Sequence, residues 1–295
     1  MSKVNQSLTK KLFKKLKNAT LMNDEFMTLF FRINPECIQF MLRIIMNKYD
    51  LIVQEARIQH EMEGAHGTRA VKYDIFATDS KGTRYDIEFQ KESSGASPYR
   101  ARFNIAILDA NSLQPGEKHN LLRERQSAVI FITQKDYFKR DRPLYSFPRF
   151  DPETGINLND GSTIIYVNGS YNNIDTALGK LIHDFNCSHS SEALYTEFAG
   201  ALTNMESKGE EEVMSVIDEI VDEARAEARA EAIAEGEAKG KAEGIAQGKA
   251  QGIAQGIKDT ALNLIRMGVL AFNQIAEACN LSLAQVQELA KSIGR

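Results

Sequence analysis

Two acidic residues, Asp74 and Glu88, lie in neighbouring segments that alternate between apolar and polar residues. This alternation predicts two β-strands, over residues 70–78 and 84–90. The connection Ser80-Lys81-Gly82 is a favoured three-residue hairpin loop, with glycine where positive φ is needed. In that register Asp74 faces Glu88, and their Cβ atoms should be about 4.5–5.5 Å apart.

The predicted register sorts the side chains of both strands onto two faces. The first face is apolar or aromatic, with the pairs Ala77–Tyr85, Ile75–Ile87 and Tyr73–Phe89. The second face carries the pairs Thr78–Arg84, Phe76–Asp86, Asp74–Glu88 and Lys72–Gln90. A slip of one residue would mix the two sets, so the apolar pairing supports the register.

Facing carboxylates repel each other, so the Asp74–Glu88 pair favours either a shared proton or a bound cation. A hard divalent ion such as Mg²⁺ binds one or two carboxylates together with waters and phosphate oxygens. It would activate a water and neutralise charge that develops on a phosphodiester. The alternative is a solvated strand face whose acids have no chemical role.

The segments around this hairpin predict a mixed α/β domain that ends near residue 200. Apolar residues at helical spacing occupy residues 21–46, with a break at Pro35. The remaining predicted elements are a strand over 51–59, a helix over 98–113, and strands over 128–132 and 163–167. The run 128–132 is entirely apolar, which suits a strand buried on both faces.

Composition excludes several classes of protein. The chain has 295 residues, is 43% hydrophobic and 26% charged, and carries a formal net charge of −4, which excludes a wholly disordered chain. The longest apolar candidate, residues 37–46, is too short to cross a membrane. Asp24 and Glu25 interrupt the apolar stretch that a secretion signal would need after the basic N-terminus. We therefore expect a cytoplasmic protein without a membrane partner.

The three cysteines lie far apart without a CxxC motif, which fits neither a disulfide framework nor a zinc knuckle. His183 and His189 flank Cys187, either as polar loop residues or as ligands of a metal.

Acidic charge is concentrated in the last third of the chain, where nine acids and two arginines lie between residues 210 and 231. The rest of the chain is therefore compatible with a polyanionic partner.

A change in composition near residue 209 predicts a helical tail. Residues 224–255 are almost all Ala, Glu, Gly, Lys, Gln and Arg, and six glycines recur every fourth residue from Gly236 to Gly256. Each glycine costs a helix about 1 kcal/mol relative to alanine. The segment 206–258 is therefore either a solvated helical linker or an element through which copies of the chain associate.

Residues 259–295 predict a small helical bundle with helices over 260–267, 271–279 and 282–292. Gly268 suits a helix C-cap and Ser282 an N-cap. The order resembles a helix-turn-helix, but the last helix offers no arginine to read DNA. Both a packing module and a DNA-reading module remain open.

Several motifs resemble the PD-(D/E)XK nuclease superfamily, and more narrowly its recombination-promoting nuclease branch, which is transposase-like. The hairpin motifs are Lys72-Tyr73-Asp74-Ile75 and Tyr85-Asp86-Ile87-Glu88-Phe89-Gln90. The other motifs are Asp24-Glu25-Phe26, Arg100-Ala101-Arg102-Phe103, Val129-Ile130-Phe131-Ile132, Arg142-Pro143-Leu144-Tyr145-Ser146-Phe147 and the glycine-repeat tail. The resemblance implies that residues 1–205 form a restriction-endonuclease-like core of helix, three strands, helix and strand, followed by the all-helical tail.

The resemblance also assigns roles to residues. Asp74 and Glu88 match the two metal-binding acids, and Gln90 stands where most members of the superfamily carry lysine. Lys72 is a candidate substitute for that lysine, and Glu36 a candidate auxiliary acid. Arg100 and Arg102 match residues that hold DNA phosphates, or else they form surface ion pairs.

The function implied by the resemblance is that of a Mg²⁺-dependent DNA endonuclease that promotes DNA breakage and recombination. The glycine-repeat helix separately predicts a homo-oligomer formed through the C-terminal helix. The replacement of lysine by Gln90 keeps a second interpretation open. In that interpretation the chain is a catalytically weak DNA-binding or oligomeric scaffold protein that retains the nuclease fold.

Overall fold

A computed structural model shows an α/β protein with a six-stranded mixed sheet and C-terminal helices. It describes residues 12, 15, 16, 18–64, 70–208 and 210–295. The strands are β1 (Val53–Met62), β2 (Val71–Asp79), β3 (Arg84–Gln90), β4 (Ser127–Thr133), β5 (Leu144–Phe147) and β6 (Ser162–Asn168). The helices are α1 (Asp24–Ile33), α2 (Glu36–Ile45), α3 (Pro98–Ala110), α4 (Ala177–Phe185), α5 (Thr196–Ser207), α6 (Glu210–Met267), α7 (Phe272–Cys279) and α8 (Leu283–Ser292).

The sheet has the strand order β1-β2-β3-β4-β6-β5. Strands β3, β4 and β6 are parallel to one another, whereas β1, β2 and β5 pair antiparallel with their neighbours. All seven residues of β4 are buried, as the apolar run predicts for a central strand. The sequence did not predict the short edge strand β5.

Hydrophobic clusters cover both faces of the sheet. On one face, α1, α2, α4 and α5 pack over a cluster that contains Ile87 and Ile130. On the other face, α3 packs over a cluster that contains Val129 and Phe131. The parallel strands are thus enclosed on both sides, and the ends of the strands become the places where polar groups can gather.

The β2–β3 hairpin confirms the predicted register over four residue pairs. These pairs are Thr78–Arg84, Ala77–Tyr85, Phe76–Asp86 and Ile75–Ile87. Gly82 takes φ +82° in the predicted loop. Asp79 secures the loop by accepting hydrogen bonds from the backbone N–H groups of Lys81 and Thr83, each at 2.9 Å.

Beyond Ile75 the predicted register is wrong, because the β2–β3 ladder ends there. The predicted pairs Asp74–Glu88, Tyr73–Phe89 and Lys72–Gln90 do not continue it. Tyr73 packs on the α3 face and donates a hydrogen bond to the Asn104 carbonyl at 3.1 Å, whereas Phe89 packs on the opposite face. The alternation of β2 therefore breaks at Asp74, which simple period-two reasoning does not anticipate.

Strand β1 is also irregular at this point. Gln59 has φ +53°, in the left-handed region that side chains other than glycine rarely adopt. Its neighbours Ile58 and His60 pair with Ile75 and Tyr73, so Gln59 lies beside Asp74. Backbone strain of this kind costs about 1–3 kcal/mol and is concentrated at functional sites.

The chain divides into two compact units, one up to Asp222 and one from Glu223 to Arg295. Helix α6 is continuous from Glu210 to Met267, so the prediction of a separate helix over 260–267 was wrong. The six glycines of the repeat each disfavour the helix by about 1 kcal/mol, but no proline interrupts the repeat and the helix continues through it.

The second unit has its own small core. The end of α6 packs with α7 and α8 around Ile265, Ile275 and Val286. Gly268 (φ +68°) follows α6, and the Ser282 hydroxyl accepts a hydrogen bond from the Gln285 N–H at 3.2 Å. Both predicted caps are thereby confirmed.

Cys37, Cys187 and Cys279 are buried and unpaired. Burial, reinforced by nearby acids, raises the pKa of both the Cys37 and the Cys187 thiol to about 12.

Among the described helices, none combines the length and the apolar character that a membrane crossing requires.

Candidate metal centre

Three carboxylates lie near one another where β2 and β3 separate, since the charge of one raises the pKa of the other two. Asp74 comes from β2, and Asp86 and Glu88 come from β3, two residues apart and hence on one face of that strand. Asp86 and Glu88 are both 0% exposed, whereas Asp74 is partly buried. We call these three residues the carboxylate cluster.

The cluster holds its protons more tightly than ordinary acids do. Loss of solvent raises the pKa of Asp74 to about 6, with a further contribution from the charge of Asp24. Loss of solvent and the nearby Asp74 raise the pKa of Asp86 to about 7. Burial, followed by the charges of Asp86 and Asp74, raises the pKa of Glu88 well above its ordinary value. Three acids are therefore packed more closely than their full ionisation tolerates.

Two oxygens of the cluster lack a hydrogen-bond partner within the described part of the chain. They are Oδ1 of Asp86 and Oε1 of Glu88, and both are buried. A side-chain hydrogen bond between these two residues, which needs a proton on one of the two carboxyl groups, also contributes to their pKa shifts. A buried carboxylate oxygen without a donor is costly, so such atoms call for a proton, a water or a cation. Hard oxygen ligands that carry negative charge are what Mg²⁺, Mn²⁺ and Ca²⁺ bind, so the chemistry of these residues suits a divalent cation. In the described structure the ligand atoms of the three residues do not all lie within 4.8 Å of one another, so a cation would have to draw them closer together.

Arg100 and Gln90 both bind Oε2, the second carboxylate oxygen of Glu88. Nη2 of Arg100 forms a close ion pair with Oε2 of Glu88, and Nε2 of Gln90 donates to the same oxygen at 3.0 Å. Ser97 caps α3 and Pro98 begins it, which places Arg100 in the first turn. Arg100 thus balances a buried acid, and its ion pair with Glu88 does not test the phosphate contact that the resemblance implies.

Gly95 permits this arrangement of Gln90. A Cβ atom at residue 95 would lie 1.9 Å from Oε1 of Gln90, so any other residue there would force the end of the Gln90 side chain to move. The carbonyl oxygen of Gly95 also accepts a hydrogen bond from Nη1 of Arg100 at 3.1 Å. One short turn therefore positions both polar partners of Glu88.

Asp74 is held by backbone and side-chain donors. Its Oδ2 accepts the backbone N–H of Phe89 at 2.9 Å, and its Oδ1 accepts Nε2 of Gln59 at 3.4 Å. Asn104 of α3 plays the corresponding part for Asp86, donating from Nδ2 to Oδ2 at 2.8 Å. These bonds engage both oxygens of Asp74 and leave Oδ1 of Asp86 without a donor in the described structure.

The structure brings together some of the predicted site residues and separates others. Gln90 and Arg100 both contact Glu88, and Asp74 lies near enough for its charge to raise the pKa of Glu88. Glu36 is exposed at the start of α2 and lines a cavity of about 390 Å³ that includes no member of the carboxylate cluster. Lys72 lies on β2 opposite Glu61 of β1, and Arg102 is exposed on α3.

Sequence reasoning passed over Asp86, Asn104 and Asp24. The spacing Asp-x-Glu on one strand face was a signal for Asp86, because that face was already assigned to the catalytic side. Nothing in the local sequence indicated Asn104, which lies on α3 and is 1% exposed. The acid from the N-terminal helices whose charge acts on Asp74 is Asp24, the first residue of α1, and not Glu36.

A comparison with known proteins identifies no relative. No protein-family model, curated protein or solved structure matches this chain. The interpretation of the carboxylate cluster therefore rests on its own geometry and on the motifs of the sequence.

A second group of metal-binding residue types lies at the end of α4. Ligand atoms of His183, Asp184 and Cys187 lie within 4.8 Å of one another. The carboxylate of Asp184, however, accepts the backbone N–H groups of Leu194 and Tyr195 at 2.7 and 2.9 Å. These bonds hold the chain after α4 in place, which is a structural role, and the Cys187 thiol is kept protonated by burial.

Proposed function

We propose that this protein is a divalent-metal-dependent nuclease that hydrolyses phosphodiester bonds of DNA. The observation that carries the proposal is the carboxylate cluster, with two buried oxygens that lack partners in the described structure. The element order α2, β1–β3, α3, β4 supports a restriction-endonuclease-like core, because it repeats the helix, three strands, helix and strand of that superfamily.

Asp74 and Glu88 would hold the cation, and Asp86 would add a third carboxylate beside them. When bound, Mg²⁺ supplies a Lewis acid that neutralises charge on the scissile phosphate and lowers the pKa of a water. Asn104 and Phe89 fix the ligand carboxylates through their hydrogen bonds to Asp86 and Asp74. Such orientation by neighbouring groups tunes both affinity and geometry.

Gln90 and Arg100 would both act on Oε2 of Glu88. The amide of Gln90 cannot supply the positive charge of a lysine, but it orients Oε2 of Glu88. Arg100 compensates the charge of Glu88 in the metal-free protein, and its side chain is 36% exposed. A guanidinium at the mouth of the site is suited to bind a phosphate once a cation has taken over the balancing of Glu88.

One observation favours the alternative of a DNA-binding or scaffold protein with little turnover. Arg100 already neutralises Glu88, and a cation must compete with that ion pair. With Gln90 in place of lysine, the site also has less positive charge to activate a water.

Nicking of supercoiled plasmid in Mg²⁺ or Mn²⁺ tests the proposal. The variants are Asp74→Asn and Glu88→Gln, with Glu153→Gln, an exposed loop acid, as the matched control. We expect cleavage by wild type and Glu153→Gln and its loss in the two site variants. Equal cleavage by all four proteins would reveal a contaminant, and DNA binding without cleavage by any of them would establish the scaffold alternative.

A further inference from the structure

A basic loop, residues 134–143, lies at the edge of the sheet where the carboxylate cluster is found. Strands β3, β4 and β6 are parallel, so their carboxyl ends meet at one edge. Gln90 and Thr133, the last residues of β3 and β4, are register partners. The first residue of the loop, Gln134, donates its backbone N–H to the Gln90 carbonyl at 3.0 Å. The loop therefore starts directly beside a residue of the candidate site.

The charge of the basic loop is opposite to that of the whole chain. It contains four cations and two acids, while the chain carries a net charge of −4. The cations are Lys135, Lys139, Arg140 and Arg142, and all four are exposed. Within the described structure none of them forms an ion pair with an acid, although Arg142 lies 5.8 Å from the ring centroid of Tyr145. Their charges thus remain available to a partner.

Asp136 organises the loop from within. Its carboxylate accepts the backbone N–H groups of Phe138, Arg140 and Asp141 at 2.7–3.0 Å, and the Tyr145 hydroxyl at 2.8 Å. These bonds hold the pKa of Asp136 below its ordinary value even though partial burial acts the other way. Asp136 is therefore committed to the backbone and does not serve as the counterion of a loop cation.

The far end of the loop is fixed to β6. Asn168 donates from its backbone N–H to the Pro143 carbonyl at 3.0 Å and from Nδ2 to the Arg142 carbonyl at 3.2 Å. Lys139 and Asp141 have φ of +54° and +55°, conformations that side chains other than glycine keep only when the surroundings impose them. The basic loop is thus preorganised, which reduces the entropy lost when a ligand binds.

We infer that the basic loop is a phosphate-binding surface for the DNA strand whose backbone the carboxylate cluster would cut. The inference rests on the proposed function for the identity of its partner. Exposed, fixed cations at the same edge of the sheet as a buried acidic centre would draw a polyanion to that edge and offset its repulsion by the acids. The loop would position the backbone and would not read the base sequence.

The test is DNA binding in EDTA, where no cleavage occurs. Lys139→Gln/Arg140→Gln removes two cations of the loop. Lys118→Gln/Arg123→Gln is the matched control, because these exposed residues precede β4 and so lie towards the opposite edge of the sheet. Affinity for a short duplex is measured over a range of salt concentrations, and thermal melting confirms that both variants are folded.

We expect the loop variant to lower the slope of log K against log[salt] by about 1.8 and to weaken binding at least about tenfold at low salt, because two phosphate contacts are lost. The control should match wild type. An unchanged slope in the loop variant, an equal loss in the control, or a wild-type protein that does not bind DNA would each overturn the inference.

The outcome is independent of the nuclease test. Cleavage that depends on Asp74 together with unchanged binding by the loop variant would refute the inference and leave the proposed function standing. Binding that depends on the loop, without cleavage, would refute the nuclease activity and keep the loop as a DNA-binding surface.

Discussion

The backbone N–H of Phe89 donates to the side chain of Asp74, so β3 is joined to β2 through a carboxylate at the point where their ladder ends. The same carboxylate is thus both a structural acceptor and a candidate metal ligand. Substitution of Asp74 by Asn separates the two roles, because the amide oxygen of Asn accepts a hydrogen bond but lacks the negative charge that holds a cation.

For Asp74, we expect Asn and Ala to differ in stability but not in metal binding. Asp74→Asn keeps an acceptor for Phe89, whereas Asp74→Ala leaves that buried N–H unpaired and should lower the free energy of unfolding by about 1–3 kcal/mol. Urea denaturation compares the two variants with wild type. Equal stability of Asn and Ala would show that the Phe89 bond contributes nothing.

Asp86 should make the metal-free protein less stable as the pH rises. Its pKa is about 7 in the folded state because of burial, and about 4 in the unfolded chain. Between these values the folded protein keeps a proton that the unfolded chain has lost, so stability falls from about pH 4 to pH 7. Asp86→Asn removes this dependence. We expect the variant to match wild type near pH 4 and to exceed it at pH 8 by on the order of 1 kcal/mol or more, by urea denaturation in EDTA.

Divalent cations should reverse that loss at pH 8. A ligand that binds only the folded state stabilises it by about 2.7 kcal/mol when present at 100 times its Kd. We expect Mn²⁺ to raise the Tm of wild type and of Glu153→Gln, and to leave the Tm of Glu88→Gln unchanged. Equal shifts in all three proteins would place the binding elsewhere on the chain.

Gly95→Ala should disturb the site with little effect on folding. The added methyl group would displace the flexible end of the Gln90 side chain, which lies 1.9 Å from the new atom's position. We expect plasmid cleavage to fall as far as it does in Gln90→Ala, with the free energy of unfolding within about 1 kcal/mol of wild type. Gly200→Ala is the control, because a Cβ there meets no atom within 4 Å. Full activity of Gly95→Ala would remove Gln90 from the mechanism.

Substitution of glycines in the repeat of α6 tests whether copies of this chain associate through that helix. In the single chain, a Cβ at Gly240, Gly244 or Gly248 meets open space. Replacing all three with alanine should raise helicity by circular dichroism, because each change favours a helix by about 1 kcal/mol. We expect light scattering to give wild type a mass of at least two 33.0 kDa chains and the triple variant a lower one, since alanine prevents close contact of backbones. A monomeric wild type would leave α6 as a solvated linker.

Local patterns predicted those elements whose side-chain periodicity is unambiguous. The apolar run of β4 and the hairpin around Gly82 are examples, because burial and turn chemistry there depend on a few adjacent residues. The four-residue strand β5 is too short to display a period, and its pairing with β6 is set by the intervening loops.

The candidate site was predictable only where it depends on residues adjacent in the sequence. Asp74 and Glu88 follow from the hairpin, whereas their actual arrangement depends on a break in β2 at which Tyr73 turns to the α3 face and bonds the Asn104 carbonyl. The ion pair between Arg100 and Glu88 joins residues of a helix and a strand. Its geometry depends on the path of the turn through Gly95, which hydropathy patterns do not encode.

The burial of all three native cysteines makes this fold convenient for spectroscopy. A thiol introduced at an exposed site, such as Lys139→Cys or Arg123→Cys, would be the single residue that reacts readily with a maleimide dye. Each edge of the sheet can then be labelled separately without a cysteine-free background, and energy transfer to a dye on the oligonucleotide would trace the path of the nucleic acid across the surface.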